Sequence, residues 1–246
     1  MSDFVVVIPA RFASARLPGK PLREIAGRSM LQHVFERASE SDASNVYIAT
    51  DDQRISDAAE SFGASVCMTG DHHRSGTERI AEVSERLNWA DEQVVINLQG
   101  DEPLMPSDLV NQLAALLDDS SIEMATLASP LASKADYENP NVVKVVCDDY
   151  GNALYFSRSA IPYSRHASTD DLAVQCAMHH HGIYAYRCGT LRKIVAAART
   201  DLEACEQLEQ LRALSIGIGI KVANARSRPP PGVDTEEDLA KVERML

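Results

Sequence analysis

Short apolar runs alternate with amphipathic helical patterns through the first half of the chain, and this alternation constrains the fold more than any other feature. The first run, residues 4–9, has no polar alternation, as expected of a strand buried on both faces of a sheet. This order of elements predicts a mostly parallel, Rossmann-like α/β sheet flanked by helices. The strands predicted in this half are residues 4–9, 45–50, 64–69, 93–98 and 123–131.

The pattern changes beyond residue 131, where turn-rich sequence at 148–152 separates two strand-like runs and predicts a β-hairpin. We therefore expect an antiparallel excursion over about residues 132–190. No linker separates two independent units, so a single domain is expected over 1–246. The further predictions are hairpin strands at 142–147 and 153–156, a loop at 164–171, strands at 180–186 and 218–223, helices at 190–199 and 202–214, and a last helix opened by Thr235-x-x-Asp238.

The chain of 246 residues carries a formal net charge of −12. Binding to nucleic acids or membrane surfaces generally depends on basic patches, so this charge argues against both partners. No apolar stretch has the length of a membrane span, and no basic leader precedes the strand at 4–9, which predicts a cytoplasmic protein. The five cysteines form no C-x-x-C pair, and we expect them to be reduced.

Three cations follow the first predicted strand in quick succession: Arg11, Arg16 and Lys20. Ligands of parallel sheets bind at the carboxyl ends of the strands, where these residues fall. Arginine matches phosphate with a planar fork, and lysine adds a mobile point charge. Prolines on either side of Lys20 restrict the loop backbone. In a chain with a net negative charge, this local concentration of cations favours a polyphosphate site over an ordinary solvated loop.

The usual phosphate-binding fingerprints are missing. Gly19-Lys20 is followed by a proline, which excludes a kinase-type P-loop. No G-x-G-x-x-G follows the first strand, and Gly217-x-Gly219 lacks its third glycine, which argues against a dinucleotide site. Binding of a polyphosphate is therefore expected to depend on side chains of the cationic loop.

Asp101 follows a buried-type strand and Gly100, so its carboxylate is predicted at the same sheet edge as the cationic loop. Magnesium prefers a few hard carboxylate oxygens and completes its shell with phosphate oxygens and water. Asp234 is the candidate for a second carboxylate, although a residue just before a helix serves the helix dipole equally well. The aspartates at 51 and 52 resemble a metal site, but one carboxylate that caps the following helix is the more common use of this position, and both are left out of the predicted site.

Two further segments carry polar residues at predicted helices. The segment from Ser75 to Arg79 begins a predicted helix with small polar residues and a glycine, whose backbone N–H groups suit a base, sugar or phosphate. Ordinary helix capping explains Ser75 or Thr77 almost as well. On the helix predicted at 202–214, Glu209 and Arg212 fall in the apolar sector. Buried charges need partners, so either these two neutralise each other or they line a polar pocket.

Cysteines near three consecutive histidines invite a zinc site, but strand alternation opposes it. His179 and His181 would share one face of a strand, with His180 on the other, and the spacing fits no zinc finger. We interpret His181, beside Gly182, as a hydrogen-bonding side chain instead.

Nine segments together resemble the 3-deoxy-manno-octulosonate (Kdo) cytidylyltransferases, the CMP-Kdo synthetases of Gram-negative bacteria. The resemblance covers essentially the whole chain, in order. The segments are IPAR at 8–11, RLPGKP at 16–21, SGTER at 75–79, NLQGDEP at 97–103, NPNVVK at 139–144, YFSR at 155–158, HGIY at 181–184, LEQLR at 208–212 and GVDT at 232–235.

The resemblance implies that CTP and Kdo react to CMP-Kdo and pyrophosphate, with Mg²⁺ as cofactor, for lipopolysaccharide biosynthesis by a homodimer. The nucleotide-binding residues that it implies are Arg11, Ser14, Arg16, Lys20, Ser75 and Arg79. The sugar-binding residues that it implies are Gln99, Arg158, His181, Tyr184, Glu209 and Gln210. The catalytic residues that it implies are Arg11, Arg16 and Lys20 as a triphosphate clamp, with Asp101 and Asp234 as the magnesium ligands.

The sequence departs from the family in two places. Residues 229–231 are all proline where a further glycine is usual before Gly232, and residues 178–180 replace the usual lead into His181. Two other functions have to be distinguished from a nucleotidyltransferase. A glycosyltransferase would consume a finished sugar nucleotide, and a nucleotide sensor would bind CTP without turnover.

Overall fold

The computed structural model describes residues 3–13 and 17–246. Its strands are β1 Phe4–Ala10, β2 Glu24–Ile25, β3 Arg28–Ser29, β4 Asn45–Thr50, β5 Ser65–Met68, β6 Val94–Asn97, β7 Met124–Pro130, β8 Lys144–Cys147, β9 Ala153–Ser157, β10 Met178–Arg187 and β11 Lys221–Asn224. Its α-helices are α1 Met30–Ser39, α2 Gln53–Ser61, α3 Gly76–Arg86, α4 Ser107–Leu116, α5 Lys134–Glu138, α6 Asp170–Cys176, α7 Cys188–Ala196, α8 Asp201–Glu206, α9 Gln210–Ser215 and α10 Glu236–Glu243.

Within these described ranges, nine strands form one mixed sheet in the order β11-β7-β10-β6-β1-β4-β5, with β8 added to β10 and β9 to β8. Strand β1 pairs in parallel with both β4 and β6, and β11 pairs in parallel with β7. Strand β10 runs antiparallel to both of its neighbours in this order, β6 and β7. The predicted mostly parallel α/β sheet with an antiparallel hairpin is confirmed.

Helices cover both faces of the sheet, which explains the continuous apolar run of β1. Phe4, Val6 and Ile8 pack on one face with apolar residues of α1, α2 and α4. Val5 and Val7 pack on the other face with residues of α3, α7 and α9. A strand covered on both faces buries every side chain, so it shows no polar alternation.

The predicted hairpin at 142–156 is formed by β8 and β9, which pair antiparallel. It extends the sheet beyond β10, through pairing of Met178 with Val145 and of His179 with Lys144. The division of the chain into one domain with an excursion at about 132–190 stays a prediction.

Two local predictions are wrong. The helix expected at 202–214 is two short helices, α8 and α9, because Gln207 adopts a left-handed conformation with φ of 54° that ends α8. The loop expected at 164–171 contains a 3₁₀ turn at Ala167–Thr169 and the start of α6. In the described part of the chain, no helix combines the length and the apolar character that a membrane crossing requires.

Candidate active site

Two clefts meet at the carboxyl ends of β1 and β6. The first, here called the β1 cleft, has a volume of about 370 Å³, and the second, the β10 cleft, about 540 Å³. Gly76, Gln99 and Glu209 line both clefts, so a molecule in one can touch a molecule in the other. The β1 cleft is also lined by Pro9, Ala10, Arg11, Lys20, Arg74, Ser75, Arg79, Gly100, Asp101 and Asp234. The β10 cleft is also lined by Thr77, Asn97, Asn141, Arg158, His179, His180, Tyr184, Gln210 and Arg212.

Lys20 joins two carboxylates that are remote in the sequence. Its Nζ donates to Asp101 Oδ2 at 2.7 Å and to Asp234 Oδ1 at 2.9 Å. The two acidic side chains remain 37% and 46% exposed, so both can be reached from the cleft. The structure thus brings the three residues together at one sheet edge, with two carboxylates directed at one cation.

Close backbone approach presents Asp234 to Asp101. The Val233 N–H donates to the Asp101 carbonyl at 2.8 Å. A Cβ at Gly232 would lie 2.9 Å from Glu102 Oε1 and 3.2 Å from that same carbonyl, so only glycine fits without displacement. Val233 is itself buried in a small apolar cluster with Leu17, Ile25, Met30 and Val242. The three prolines at 229–231 therefore do not prevent Asp234 from reaching the site.

The charges of Asp101, Asp234 and Lys20 all act on the pKa of the neighbouring Glu102. Burial, together with the negative charge of Asp101 and Asp234, raises that pKa to about 8, while Lys20 opposes the rise. The raised pKa favours the protonated form of Glu102, which adds no negative charge beside Asp101 and Asp234.

The other predicted nucleotide-binding residues take different positions. Arg11 is exposed and lines the β1 cleft. Arg79 is buried and pairs with Asp51 at 3.2 Å, while also lining the cleft. Ser75 caps α3 by accepting from the Glu78 N–H, so its capping role is observed beside its place in the cleft. The predictions of Ser14 and Arg16 lie outside the described residues.

Gly76 allows α3 to start against the end of β1. A Cβ at this position would lie 2.9 Å from Pro9 Cγ. The N-terminus of α3 is therefore at the wall between the two clefts, where its N–H groups and dipole favour an anion.

The β10 cleft is lined by residues with buried polar atoms whose hydrogen-bonding capacity is unsatisfied. Tyr184 Oη, Gln210 Nε2 and His179 Nδ1 find no hydrogen-bond partner among the described residues. Buried polar atoms usually have a partner, and leaving one unsatisfied costs about 1–3 kcal/mol. A ligand rich in hydroxyl or carboxylate groups would satisfy them.

Glu209 and Arg212 have separate partners, which settles the alternative left open by the sequence. Arg212 forms two bonds to Glu203, of 2.5 and 2.7 Å, and both side chains are buried. Glu209 accepts from Thr77 Oγ1 at 2.6 Å. Burial raises the pKa of Glu209, against the hydrogen bonds from Thr77 and Ser75 that lower it. Both residues line the β10 cleft rather than neutralising each other.

Arg158 lines the β10 cleft and is held by backbone carbonyls. Its Nε donates to the Glu206 carbonyl at 2.8 Å, and its Nη1 donates to the Pro140 carbonyl at 3.2 Å. Its own N–H donates to the Glu206 carboxylate at 2.9 Å. The guanidinium is therefore oriented at the cleft wall before any ligand binds.

Two histidines of β10, His179 and His180, line the β10 cleft, and the predicted His181 is not among its lining residues. The expected alternation of β10 is observed, since the rings of His179 and His181 are 4.9 Å apart and His180 contacts Phe156. His181 Nε2 contacts Ser129 Oγ at 3.1 Å, away from the residues that line the cleft. Tyr184 lies four positions after His180, on the same face of β10, and the two rings are 5.3 Å apart.

Sequence reasoning also missed Thr77 and Asn97, which line the β10 cleft. Both lie inside segments that carry the family resemblance, Thr77 in SGTER and Asn97 in NLQGDEP. Their place in these segments is the sequence feature that could have indicated a role in the site.

Among the described residues, His72, His73 and Glu82 bring their ligand atoms within 4.8 Å of one another. Both oxygens of Glu82 are already engaged, Oε1 by Arg86 at 2.6 Å and Oε2 by the Gly70 N–H at 2.9 Å and by His73. Burial opposes ionisation of Glu82, but these hydrogen bonds outweigh it and lower its pKa to about 2. We interpret the group as an ion-paired anchor for the loop before α3.

The fold and the paired clefts define an α/β nucleotidyltransferase. The family model for cytidylyltransferases matches residues 5–222, and the chain belongs to this family.

The chain is similar over its whole length to curated relatives. It is 51% identical to the 3-deoxy-manno-octulosonate cytidylyltransferase of Haemophilus ducreyi, over 99% of this chain and 98% of the relative. It is also 51% identical to the enzyme of that name from Yersinia enterocolitica, with the same coverage.

Solved structures are similar as well. The CMP:2-keto-3-deoxy-manno-octonic acid synthetase complexed with CTP has a TM-score of 0.91 and 42% identity, over 99% of this chain and 98% of that one. A cytidylyltransferase from Leptospira borgpetersenii, at 17% identity and a TM-score of 0.64 over 98% of this chain and 86% of that one, shares the fold.

Proposed function

We propose that this chain transfers the cytidylyl group of CTP to Kdo, giving CMP-Kdo and pyrophosphate for lipopolysaccharide biosynthesis. The observation that carries the proposal is the pair of clefts, one with cations and convergent carboxylates and one with unsatisfied polar atoms, which share Gly76, Gln99 and Glu209. Full-length relatives with this activity in their names support it.

The reaction requires no protein nucleophile. The anomeric hydroxyl of Kdo attacks the α-phosphorus of CTP, a new P–O bond forms, the bond to the β-phosphate oxygen breaks, and the hydroxyl loses its proton. The protein contributes orientation of both substrates and stabilisation of charge on the phosphates. Arg11 and Lys20 supply positive charge in the β1 cleft, and the start of α3 lies between the two substrates.

Asp101 and Asp234 fit a magnesium site. Both carboxylates converge on one cation, the Lys20 ammonium, and offer the hard oxygen atoms that Mg²⁺ prefers. When bound, Mg²⁺ would neutralise phosphate charge and act as a Lewis acid on the transferred group.

The acidic sugar is assigned to the β10 cleft. The oriented guanidinium of Arg158 suits a carboxylate, because a planar fork can form two parallel bonds to it. Tyr184 and Gln210 offer the unsatisfied atoms for sugar hydroxyls, and Gln99 and Glu209 lie at the border with the nucleotide.

We also propose that the enzyme is a cytoplasmic homodimer built on the antiparallel segment. Large apolar side chains of that segment are exposed, among them Leu154 at 63% and Tyr163 at 86%. Exposed apolar surface of this kind is typical of interfaces. Sedimentation equilibrium should give twice the chain mass, and Leu154→Asp should shift it towards the monomer. A monomeric wild type at micromolar concentration would refute the dimer.

The function is tested by pyrophosphate release. CTP with Kdo should give pyrophosphate. The controls are CTP without sugar, and Kdo with ATP, GTP or UTP in place of CTP. An amino-substituted analogue in place of Kdo measures the specificity for the sugar. Asp101→Ala should abolish turnover with preserved folding. Asp57→Ala, which removes an exposed carboxylate of α2, is the matched control and should be fully active. A glycosyltransferase would release no pyrophosphate from these substrates, and a sensor would bind CTP without turnover; either result would refute the proposal.

A further inference from the structure

Lys144 is a fully buried cation at the start of β8. Its Nζ donates to three backbone carbonyls: those of Asn139 at 2.8 Å, Val142 at 2.6 Å and Arg158 at 2.6 Å. Burial lowers the pKa of this amine, and the carboxylate of Glu206 opposes the decrease. Burying a charge is costly unless its donors are all used, and here three donors meet three acceptors.

The three carbonyls belong to two separate segments of the β10 cleft wall. The turn at 139–143 supplies Asn141 and Val143 to the lining, and the second segment supplies Arg158. Arg158 Nη1 also donates to the Pro140 carbonyl of the first segment. Lys144 Nζ therefore holds two segments at once: the backbone of Arg158, and the turn at 139–143 that the Arg158 guanidinium contacts.

We infer that Lys144 is a positioning residue for the acceptor sugar, acting through Arg158 without touching the substrate. An apolar side chain would fill the same space at lower desolvation cost, so what the amine adds is a fixed distance between two walls of the cleft. The inference rests on the proposed function, in which Arg158 binds the carboxylate of Kdo.

The test compares Lys144→Met with Arg187→Met. Arg187, at the opposite end of β10, likewise donates to backbone carbonyls of separate segments: those of Leu117 at 2.7 Å, Ile122 at 3.1 Å, Asp119 at 3.2 Å and Glu92 at 3.5 Å. Both variants should lower the urea midpoint. Only Lys144→Met should raise the KM for Kdo, by about tenfold or more, the factor that corresponds to about 1.4 kcal/mol. The Kd for CTP, measured by calorimetry without sugar, should not change in either variant.

A double variant separates this inference from the proposed function. Arg158→Met should raise the KM for Kdo, and adding Lys144→Met should raise it little further, because both changes remove one interaction. An unchanged KM in Arg158→Met would refute the assigned sugar site itself. If Arg158→Met raises the KM but Lys144→Met resembles Arg187→Met, only the inference is overturned.

A second variant covers a failure of Lys144→Met to fold. Lys144→Gln keeps an amide donor, and its KM for Kdo should lie between those of the wild type and Arg158→Met. Calorimetric binding of CTP reports the folded fraction of each preparation. A wild-type KM in the glutamine variant, with CTP affinity retained, would overturn the inference.

Discussion

The buried pair of Arg212 and Glu203 gives a prediction whose size follows from the structure. Arg212→Met removes a guanidinium that forms two short bonds to Glu203, whose side chain is 4% exposed. An uncompensated buried charge costs about 3–5 kcal/mol. Arg199 lies 3.7 Å from the same carboxylate and is 46% exposed, so it can compensate in part. We therefore expect Arg212→Met to lower the free energy of unfolding by about 3 kcal/mol, the lower end of this range.

The double variant is the decisive comparison. Glu203→Met should also destabilise the protein by a similar amount, because it leaves the buried Arg212 with the more distant carboxylate of Glu78, at 3.9 Å, in place of two short bonds. The double variant, Arg212→Met combined with Glu203→Met, leaves neither charge of the pair behind. Its free energy of unfolding should therefore decrease by much less than the sum of the decreases in the two single variants. Urea unfolding at pH 7, followed by circular dichroism, measures all three. The reasoning would be refuted if each single variant lost less than about 1 kcal/mol of unfolding free energy. It would also be refuted if the loss in the double variant equalled the sum of the single losses within about 0.5 kcal/mol.

Three further predictions concern the site and its supports. Gly232→Ala should cost about 1–3 kcal/mol and most of the turnover, because its Cβ would lie 3.2 Å from the Asp101 carbonyl and crowd the backbone contact that presents Asp234. Gly219→Ala, which meets nothing within 4 Å, is the control for the unfolding and pyrophosphate assays. Burial lowers the pKa of His180 from about 6.5 to about 3, so the unfolded chain binds a proton that the native state does not. Stability should therefore fall as the pH decreases from 6.5 towards 3, by up to about 1.4 kcal/mol per pH unit, and urea midpoints of His180→Gln should fall less steeply; an equal slope would contradict this. Thr235→Ala removes the capping box of α10 and should lower the free energy of unfolding by about 1 kcal/mol, whereas an unchanged midpoint would show that the cap is dispensable.

Local patterns predicted those parts of the fold that depend on local physics. The unbroken apolar run of β1 reports burial on both faces, and Thr235 with Asp238 forms the expected capping box. Asp52 caps α2, as the sequence indicated, by accepting from the Arg54 N–H at 3.0 Å. In each case the interacting groups are close in sequence, so residue types and spacing carry the information.

The break in the predicted helix at 202–214 and the position of His181 relative to the cleft both depend on structure that local spacing does not show. Apolar spacing cannot reveal that Gln207 takes a left-handed conformation, because that residue type is common in helix interiors. Alternation correctly separated His180 from its neighbours and puts it on the face of Tyr184, but only the packing of the whole chain decides which of the three histidines line the cleft.

Sequence alone determined the class of fold, the cationic loop after β1 and the two acidic candidates, because strand periodicity and charge are written in neighbouring residues. Tertiary structure alone decided that Lys20 contacts Asp101 and Asp234, which are 81 and 214 positions away. It also decided that Arg212 pairs with Glu203 and that Lys144 joins two walls of the β10 cleft. Such contacts depend on how the whole chain packs, and no local pattern encodes which distant groups share one small volume.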